Sequence, residues 1–298
     1  MNEVNQTSSL NSQTINNLIN DLKENKSLVL YKDKIPENLC DNCSDDCYEK
    51  HPDDLMELIS DGIKMSSYNP YDEIKEYKVG DSKTLKIGVI GDTQLISSSE
   101  KYKAYLQYSK NFKRTLEILK DNKIDVLIID GDNTNCGYPE AYDNFLSQFN
   151  SVYGDIKNEN IPILNLIMGN HDYWSLKGFQ NSAKYNEERQ KLFEEKTKEK
   201  PYSHKIINGY HFINWSCDNG SLENPYTDFS WFEKQIELAK NSDNKPIFVT
   251  THFPPKNTVY GSEDWGADNL NEYFKKYPQI INFSGHSHFS LIDERRIY

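Results

Sequence analysis

IDVLIIDGDNTNCGYPEAY (residues 124–142) reads as a short buried strand that breaks into a polar turn at Gly131 and resumes as a helix at Pro139. The same grammar recurs along the chain. LKIGVI runs into Gly91, IPILNLIM into Gly169, PIFVTT into His252 and QIINFS into Gly285. Each run is too short and too uniformly apolar for an exposed helix, so each is expected to be a strand with both faces covered. Between them, 100–122, 139–154, 228–240 and 269–277 carry apolar residues at amphipathic-helix spacing. Strands alternating with helices from Thr84 onward predict an α/β domain.

The strand ends are where the polar residues gather: GDTQ (91–94), GDNTN (131–135), GNHD (169–172), TTH (250–252) and GHSH (285–288). In α/β sheets, the carboxyl ends of strands form the crevice that binds ligands, because loops there present side chains from a rigid platform. Four of the seven histidines fall inside these clusters, alongside carboxylates, a donor set suited to zinc, iron or manganese. Asp132 has two oxygens with which to bridge two such ions. Gly91, Gly131, Gly169 and Gly285 are expected to let the chain turn sharply out of each strand so that the next side chain points into the cleft.

Taken together and in this order, the clusters resemble the calcineurin-like metallophosphoesterases, whose pattern is D-x-H, G-D-x-x-D/N, G-N-H-D/E, a later His and G-H-x-H. The likeness spans about residues 84–290. It implies an αββα architecture, a two-sheet β sandwich flanked by helices, and a dinuclear centre of divalent or trivalent Fe, Mn or Zn. By motif, one ion falls to Asp92, Gln94, Asp132 and His288, and the other to Asp132, Asn170, His252 and His286. The resemblance gives His171 the role of stabilising the transition state or protonating the leaving oxygen, and Asp172 that of orienting His171. Gln94 departs from the usual His; its neutral carbonyl oxygen is a harder, weaker donor, which shifts preference toward iron or manganese.

GDNTNCGYPEAY, through Gly137, Pro139 and Tyr142, is similar to the branch that holds class III cyclic-nucleotide phosphodiesterases; the R-G signatures of protein phosphatases are missing. The implied reaction is hydrolysis of a small phosphodiester, a cyclic nucleotide among them, by metal-activated water. A phosphomonoesterase acting on a nucleotide, sugar phosphate or phosphoprotein, and a catalytically silent metal-binding module, stay open. VYGSEDWGADNL (259–270) is expected beside the ions, with Tyr260 and Trp265 stacking on a flat group or packing on the preceding helix.

Composition narrows the partners. Of 298 residues, 46 are acidic and 34 basic, a net charge of -12 that disfavours nucleic acid and anionic lipid. A small-molecule phosphoester is the expected substrate, and the oligomeric state is open. No apolar run reaches the ~18 residues of a membrane span, and MNEVNQTSSLNSQT lacks the basic start and apolar stretch of a secretory signal, which reads as cytoplasmic. Residues 1–80 are polar and read as an extension, with the catalytic domain over 81–298; the fold is expected to continue past Tyr298 with its last strands. Cys40, Cys43, Cys47 and His51 have donors for a structural zinc, but crowding into one short stretch favours free thiols or a local disulfide. Cys136 and Cys217 are expected as small buried hydrophobes, His204 and His211 as structural histidines in the strand-like 203–216, and 177–201 as a charged helical insertion.

Overall fold

Short β-rich runs linked by amphipathic helices leave the chain one economical arrangement: parallel strands joined by right-handed crossovers, with the helices covering the sheet. The computed structural model describes residues 74–80, 84–98, 103–175, 182–240 and 245–289, where mostly parallel strands alternate with helices. Strands β1 (Lys75–Tyr77), β2 (Ile87–Ile90), β3 (Val126–Ile129) and β4 (Ile163–Leu166) are followed by the hairpin β5 (Tyr202–Ile207) and β6 (Tyr210–Trp215), then β7 (Ile247–Thr251) and β8 (Ile280–Phe283). Helices α1 (Lys103–Asp121), α2 (Pro139–Tyr153), α3 (Ala183–Thr197), α4 (Phe229–Lys240), α5 (Ser262–Trp265) and α6 (Leu270–Lys276) link them. One sheet runs β2-β3-β4, all parallel; the other runs β1-β5-β6-β7-β8, parallel except at the β5–β6 hairpin.

Strand β3 shows why the two sheets belong together. All four of its residues are buried, and the two faces bury against different partners. Val126 and Ile128 cluster with Ile207 and Phe212 of the other sheet. Leu127 and Ile129 join a larger core with Phe112 and Leu116 of α1 and Phe145 and Phe149 of α2. Each such aliphatic side chain contributes about 1.5–3 kcal/mol on full burial. On the far side, Trp215 stacks on Phe232 of α4 with ring centroids 4.5 Å apart. The layers are therefore helix, sheet, sheet, helix, as the resemblance implied.

Two details differ from the sequence reading. Residues 203–216 are not one strand but a hairpin, because Asn208 (φ 50°) and Gly209 (φ 79°) both occupy the left-handed region that a type I′ turn demands. The Asn-Gly pair was the available signal. The sheet also starts before residue 81: β1 pairs with β5, and Asn208 Nδ2 donates to the Val79 carbonyl at 2.8 Å while Oδ1 accepts from the Val79 amide at 3.0 Å. The Cys40, Cys43, Cys47 and His51 group, and Arg295 and Arg296, lie outside the described residues. None of the described helices is long and apolar enough to cross a membrane.

His204 and His211 are buried and bonded to each other. His204 is buried, its Nδ1–H donates to Gln235 Oε1 at 2.9 Å, and its Nε2 accepts from His211 Nδ1 at 2.7 Å. Burial lowers its pKa from 6.5 to about 4. The unfolded chain therefore takes up a proton near pH 6.5 that the folded chain refuses until near 4, so stability falls as pH drops through this window. Between pH 7 and 5 this group alone is expected to cost about 2 kcal/mol. Urea unfolding of His204→Leu at both pH values checks it: the pH-dependent loss shrinks by that amount whatever the variant's absolute stability, and an unchanged loss refutes the assignment.

Candidate metal centre

A side chain can be aimed by its rotamer or by its backbone, and here the backbone does most of the aiming. Asp92 (φ 51°), Gln94 (φ 43°), Asp132 (φ 49°), His286 (φ 68°) and His288 (φ 54°) all sit in the left-handed region. Non-glycine residues avoid it at a cost of about 1 kcal/mol or more each, and persist there only where surrounding structure compels it. Five of the nine such residues in the described chain are candidate ligands, which marks the strain as local to the site. The sharp turns are thus made by the ligands themselves. Of the four motif glycines only Gly131 has a positive φ (101°). Gly285 serves by its size instead: a Cβ there would meet Asp92 Oδ2 at 2.4 Å.

The loops after β2 and β3 continue side by side beyond their strands. Gln94 N donates to the Asp132 carbonyl at 2.8 Å and Leu95 N to that of Asn133 at 3.2 Å. Backbone amides then tie the carboxylates across motifs. His171 N donates to Asp132 Oδ1 at 2.9 Å, and His286 N to Asp92 Oδ2 at 2.9 Å. Two groups of donor atoms converge, each within 4.8 Å: Asp132 with His252 and His286, and Asp92 with Asp132 and His288. Asp132 belongs to both, as a bridging carboxylate must. Asn170 joins the first, its Oδ1 lying 3.0 Å from His252 Nε2. Gln94 joins the second, its Nε2 lying 3.2 Å from Asp132 Oδ2 and 3.4 Å from His288 Nε2. A half-turn of that amide presents Oε1 at the same spot.

The electrostatics fit a cation. Asp132 is 1 % exposed. Burial pushes its carboxyl up, yet the facing His252 imidazolium and the His171 amide hold it well below the usual carboxylate range. Burial would drive His252 down, but Asp132 outweighs this and raises it to about 10. Without an ion, a proton on His252 thus supplies the positive charge the site requires. His252 Nδ1–H donates to the Asp130 carbonyl at 2.9 Å, which fixes the tautomer and leaves Nε2 facing the cluster. Burial, then the charge on His252, push His286 down to about 3. Its Nε2 is buried and has no hydrogen-bond partner, an orphan lone pair that a metal ion would satisfy.

His171 belongs to the cluster but not as part of either group. Its Nδ1–H donates to the Asn135 carbonyl at 2.9 Å, and Nε2 points inward, 3.9 Å from Asp132 Oδ2. Trp174 lies against its ring at 4.0 Å. Asp172 does not orient His171, contrary to the sequence expectation. Its Oδ2 accepts from Asn133 N, Asn133 Nδ2 and Gly169 N, and its Oδ1 from Thr134 N, Thr134 Oγ1 and Tyr142 OH. Six donors fill both oxygens, so nothing is left for the imidazole, and the carboxylate instead staples the GNHD loop to the GDNTN loop.

Several supporting residues were invisible to the sequence reading. Tyr226 OH accepts from the amides of His252 and Phe253 at 2.8 and 3.0 Å. Asp130 is buried, and its carboxyl is raised well above the ordinary value by burial and by Asp92. Neither stands in a cluster of functional residue types, though the I-I-D ending of β3 placed an acid at a position otherwise apolar. Tyr142, which the motif spacing singles out, donates from its hydroxyl to Asp172 Oδ1 at 3.1 Å. Near the rim, Trp265 is 48 % exposed with its ring 5.9 Å from that of His286, whereas Tyr260 packs on Phe289 at 4.4 Å. Cys217 is buried and Cys136 half-buried.

Among family models, the one described as calcineurin-like phosphoesterase matches residues 85–290. No curated protein sequence matches the chain. Similar solved structures include a dimetal phosphatase from Danio rerio, at 9 % identity and a TM-score of 0.47, covering 72 % of this chain and 85 % of that one. Another is a Thermus thermophilus protein, TT1561, at 11 % identity and a TM-score of 0.42, covering 67 % of this chain and 81 % of that one.

The Asp172 staple makes a testable demand. Asp172→Asn keeps the shape but turns an amide N–H toward groups that are themselves donors. It is expected to cost about 3–5 kcal/mol of stability in urea denaturation. A loss below about 1 kcal/mol, the net worth of one ordinary hydrogen bond, would show that the loops hold together without it.

Proposed function

The chain belongs to the calcineurin-like phosphoesterase family of metal-dependent phosphoester hydrolases, and on that footing we propose that its substrate is a small phosphodiester. Asp92, Gln94, Asp132 and His288 hold one ion and Asp132, Asn170, His252 and His286 the other. The observation that carries this reading is the pair of donor groups sharing Asp132. When bound, two transition-metal ions act as Lewis acids on the phosphoryl oxygens and make water a nucleophile at neutral pH.

The chain's own residues supply the rest. His171 is the group placed to serve the leaving oxygen: with Nδ1–H committed to the Asn135 carbonyl, Nε2 is the atom free to hold or pass a proton at the cluster. Trp174 closes one side of that imidazole and limits its contact with water. The diester preference is supported by the Gly137, Pro139 and Tyr142 spacing, and a flat organic group on the ester by the exposed Trp265 ring beside His286. A cyclic nucleotide has both features. The imidazole and carboxylate donors suit Fe, Mn or Zn, and the amide at Gln94 favours Fe or Mn at the ion it serves.

The test is metal content by plasma mass spectrometry, with hydrolysis of bis(p-nitrophenyl) phosphate and p-nitrophenyl phosphate on the same samples. Wild type is expected to hold two ions and to prefer the diester; Asp132→Ala should lose both ions, and His286→Ala at least one, each with activity down by more than about 100-fold. A folded wild type that takes up no metal would overturn the reading, and a preference for the monoester would overturn its diester part. In Gln94→His, zinc is expected to displace iron or manganese as the better-retained ion; an unchanged metal ratio would mean that Gln94 hydrogen-bonds Asp132 and does not ligate.

A further inference from the structure

A phosphodiester differs from a monoester by one organic group that stays on phosphorus, and the protein must give that group a place. In an in-line displacement the attacking and leaving oxygens stand on opposite sides of phosphorus, and three further substituents spread around it. Two are the oxygens that the centre binds; the third is the retained group. It therefore projects sideways from the line of reaction, away from the residue that serves the leaving oxygen. Two tryptophans border the cluster, each beside a different histidine. Trp174 lies against His171 at 4.0 Å, is half-buried, and commits its Nε1–H to the Gly220 carbonyl at 3.1 Å. Trp265 stands beside His286, with ring centroids 5.9 Å apart and planes at 73°, so it is not stacked on the imidazole, and it is 48 % exposed.

A single exposed aromatic ring is common on protein surfaces. Trp265 is set apart by how firmly it is mounted. The loop that carries His252 continues through Phe253, Pro254 and Pro255 into the platform: Ala267 N donates to the Pro254 carbonyl at 2.9 Å, and Lys256 N to that of Ala267 at 3.2 Å. Ser262 of α5 is buried, and its Oγ accepts from the amides of Thr258 and Val259 at 2.9 and 3.0 Å. Trp265 N donates to the Gly261 carbonyl at 3.1 Å. A Cβ on Gly266 would stand 2.5 Å from the Ser262 carbonyl oxygen and 2.6 Å from Lys256 Cα, so the turn after the indole is packed to its limit. An aromatic side chain on such a support loses little further entropy when a ligand settles on it.

We propose that Trp265 determines specificity by receiving the group that stays on phosphorus, and that this group is flat: an aromatic ring or nucleobase lies on the indole while the leaving group departs on the side of His171 and Trp174. This deepens the diester reading and rests on it for its kinetic consequence, but not for its consequence in binding. It also gives the diester preference a physical source, since a monoester has no retained group and leaves the indole uncovered.

The experiment uses the full chain, metal-reconstituted, as wild type, Trp265→Leu, Trp265→Phe and Trp174→Leu. The substrates are p-nitrophenyl esters of phenyl-, cyclohexyl- and methylphosphonate, which carry the single negative charge of a diester, share one leaving group and differ only in what stays behind. Wild type is expected to favour phenyl over both others in kcat/KM. In Trp265→Leu the phenyl-over-methyl ratio falls about 10-fold, the scale of one aromatic stack. The loss sits in KM more than in kcat, because the stack is made alike in bound substrate and transition state. Trp265→Phe keeps most of the ratio, Trp174→Leu keeps it whatever becomes of the rate, and the Trp265 variants retain the wild-type metal content. Titration calorimetry with phenylphosphonate and methylphosphonate, which are not cleaved, should show a phenyl preference of about 10-fold in wild type and its loss in Trp265→Leu. An equal ratio in wild type and Trp265→Leu, a preference lost in Trp174→Leu instead, or a cyclohexyl group as good as phenyl would each overturn the proposal. If wild type cleaves none of the esters, the diester reading falls and calorimetry alone decides Trp265: equal affinity for the two phosphonates, or none for either, refutes its role.

Discussion

A carboxylate buried to 1 % exposure must be answered by hydrogen bonds or by positive charge, and Asp132 imposes that demand on everything around it. Water cannot screen it. The site answers with hydrogen bonds from the His171 amide and the Gln94 side chain, and with the imidazole of His252 at 3.3 Å. Hydrogen bonds alone do not neutralise a charge. In the protein without ions, Asp132 favours a proton on His252; an ion bound by the proposed ligands would take that proton's place and its electrostatic duty. A site built this way suits a cation, which would answer the charge that a proton on His252 answers in its absence.

The second constraint is the strained backbone. Five candidate ligands in left-handed conformations represent a cost that no single contact could offset. The compensation is spread through the loops: the strand-like pairing of 92–95 with 131–135, the six donors on Asp172, and the Tyr226 hydroxyl under two consecutive amides. Asp172 is the clearest example of division of labour. Adjacent in sequence to the proposed proton donor, it faces the opposite way and works on the scaffold. The carbonyl of Asn135, an anonymous backbone atom, does what the carboxylate was expected to do.

What was legible in the sequence follows from this. Strands and long helices could be read because burial enforces periodicity, and 87–90, 126–129, 163–166, 247–251 and 280–283 all fall inside the predicted runs. The candidate ligands could be read because metal chemistry allows few residue types and the strand ends put them at fixed places. The supports could not. Asn133 and Thr134 stand inside GDNTN and Tyr226 outside any cluster, but all three act through short polar contacts between loops far apart in the chain, and no period or motif reports such a role. The hairpin at 208–209 is hard to read for a different reason: its two strands share one alternating pattern, and only the Asn-Gly pair interrupts it. The roles of the motif glycines are ambiguous in sequence, which shows that a Cβ is absent without showing whether the angle or the space requires it.

The candidate ligands come from both sheets. Asp92, Asp132 and Asn170 follow β2, β3 and β4, while His252, His286 and His288 follow β7 and β8 of the other sheet. Between the sheets, contacts near the centre are partly polar, with Asn214 donating to Asn165 at 2.6 Å and Ser216 Oγ accepting from Met168 N at 2.8 Å. An ion held by residues of both sheets would add a bond between layers otherwise joined by hydrophobic packing and a few polar contacts. Since binding to the folded state alone stabilises it by RT ln(1 + [L]/Kd), the metal is linked to the global fold as well as to the chemistry. The strain of the ligand backbones and the cohesion of the sandwich are then two sides of one equilibrium: the protein holds the ligands in costly conformations, and the ions, once bound, help to hold the protein.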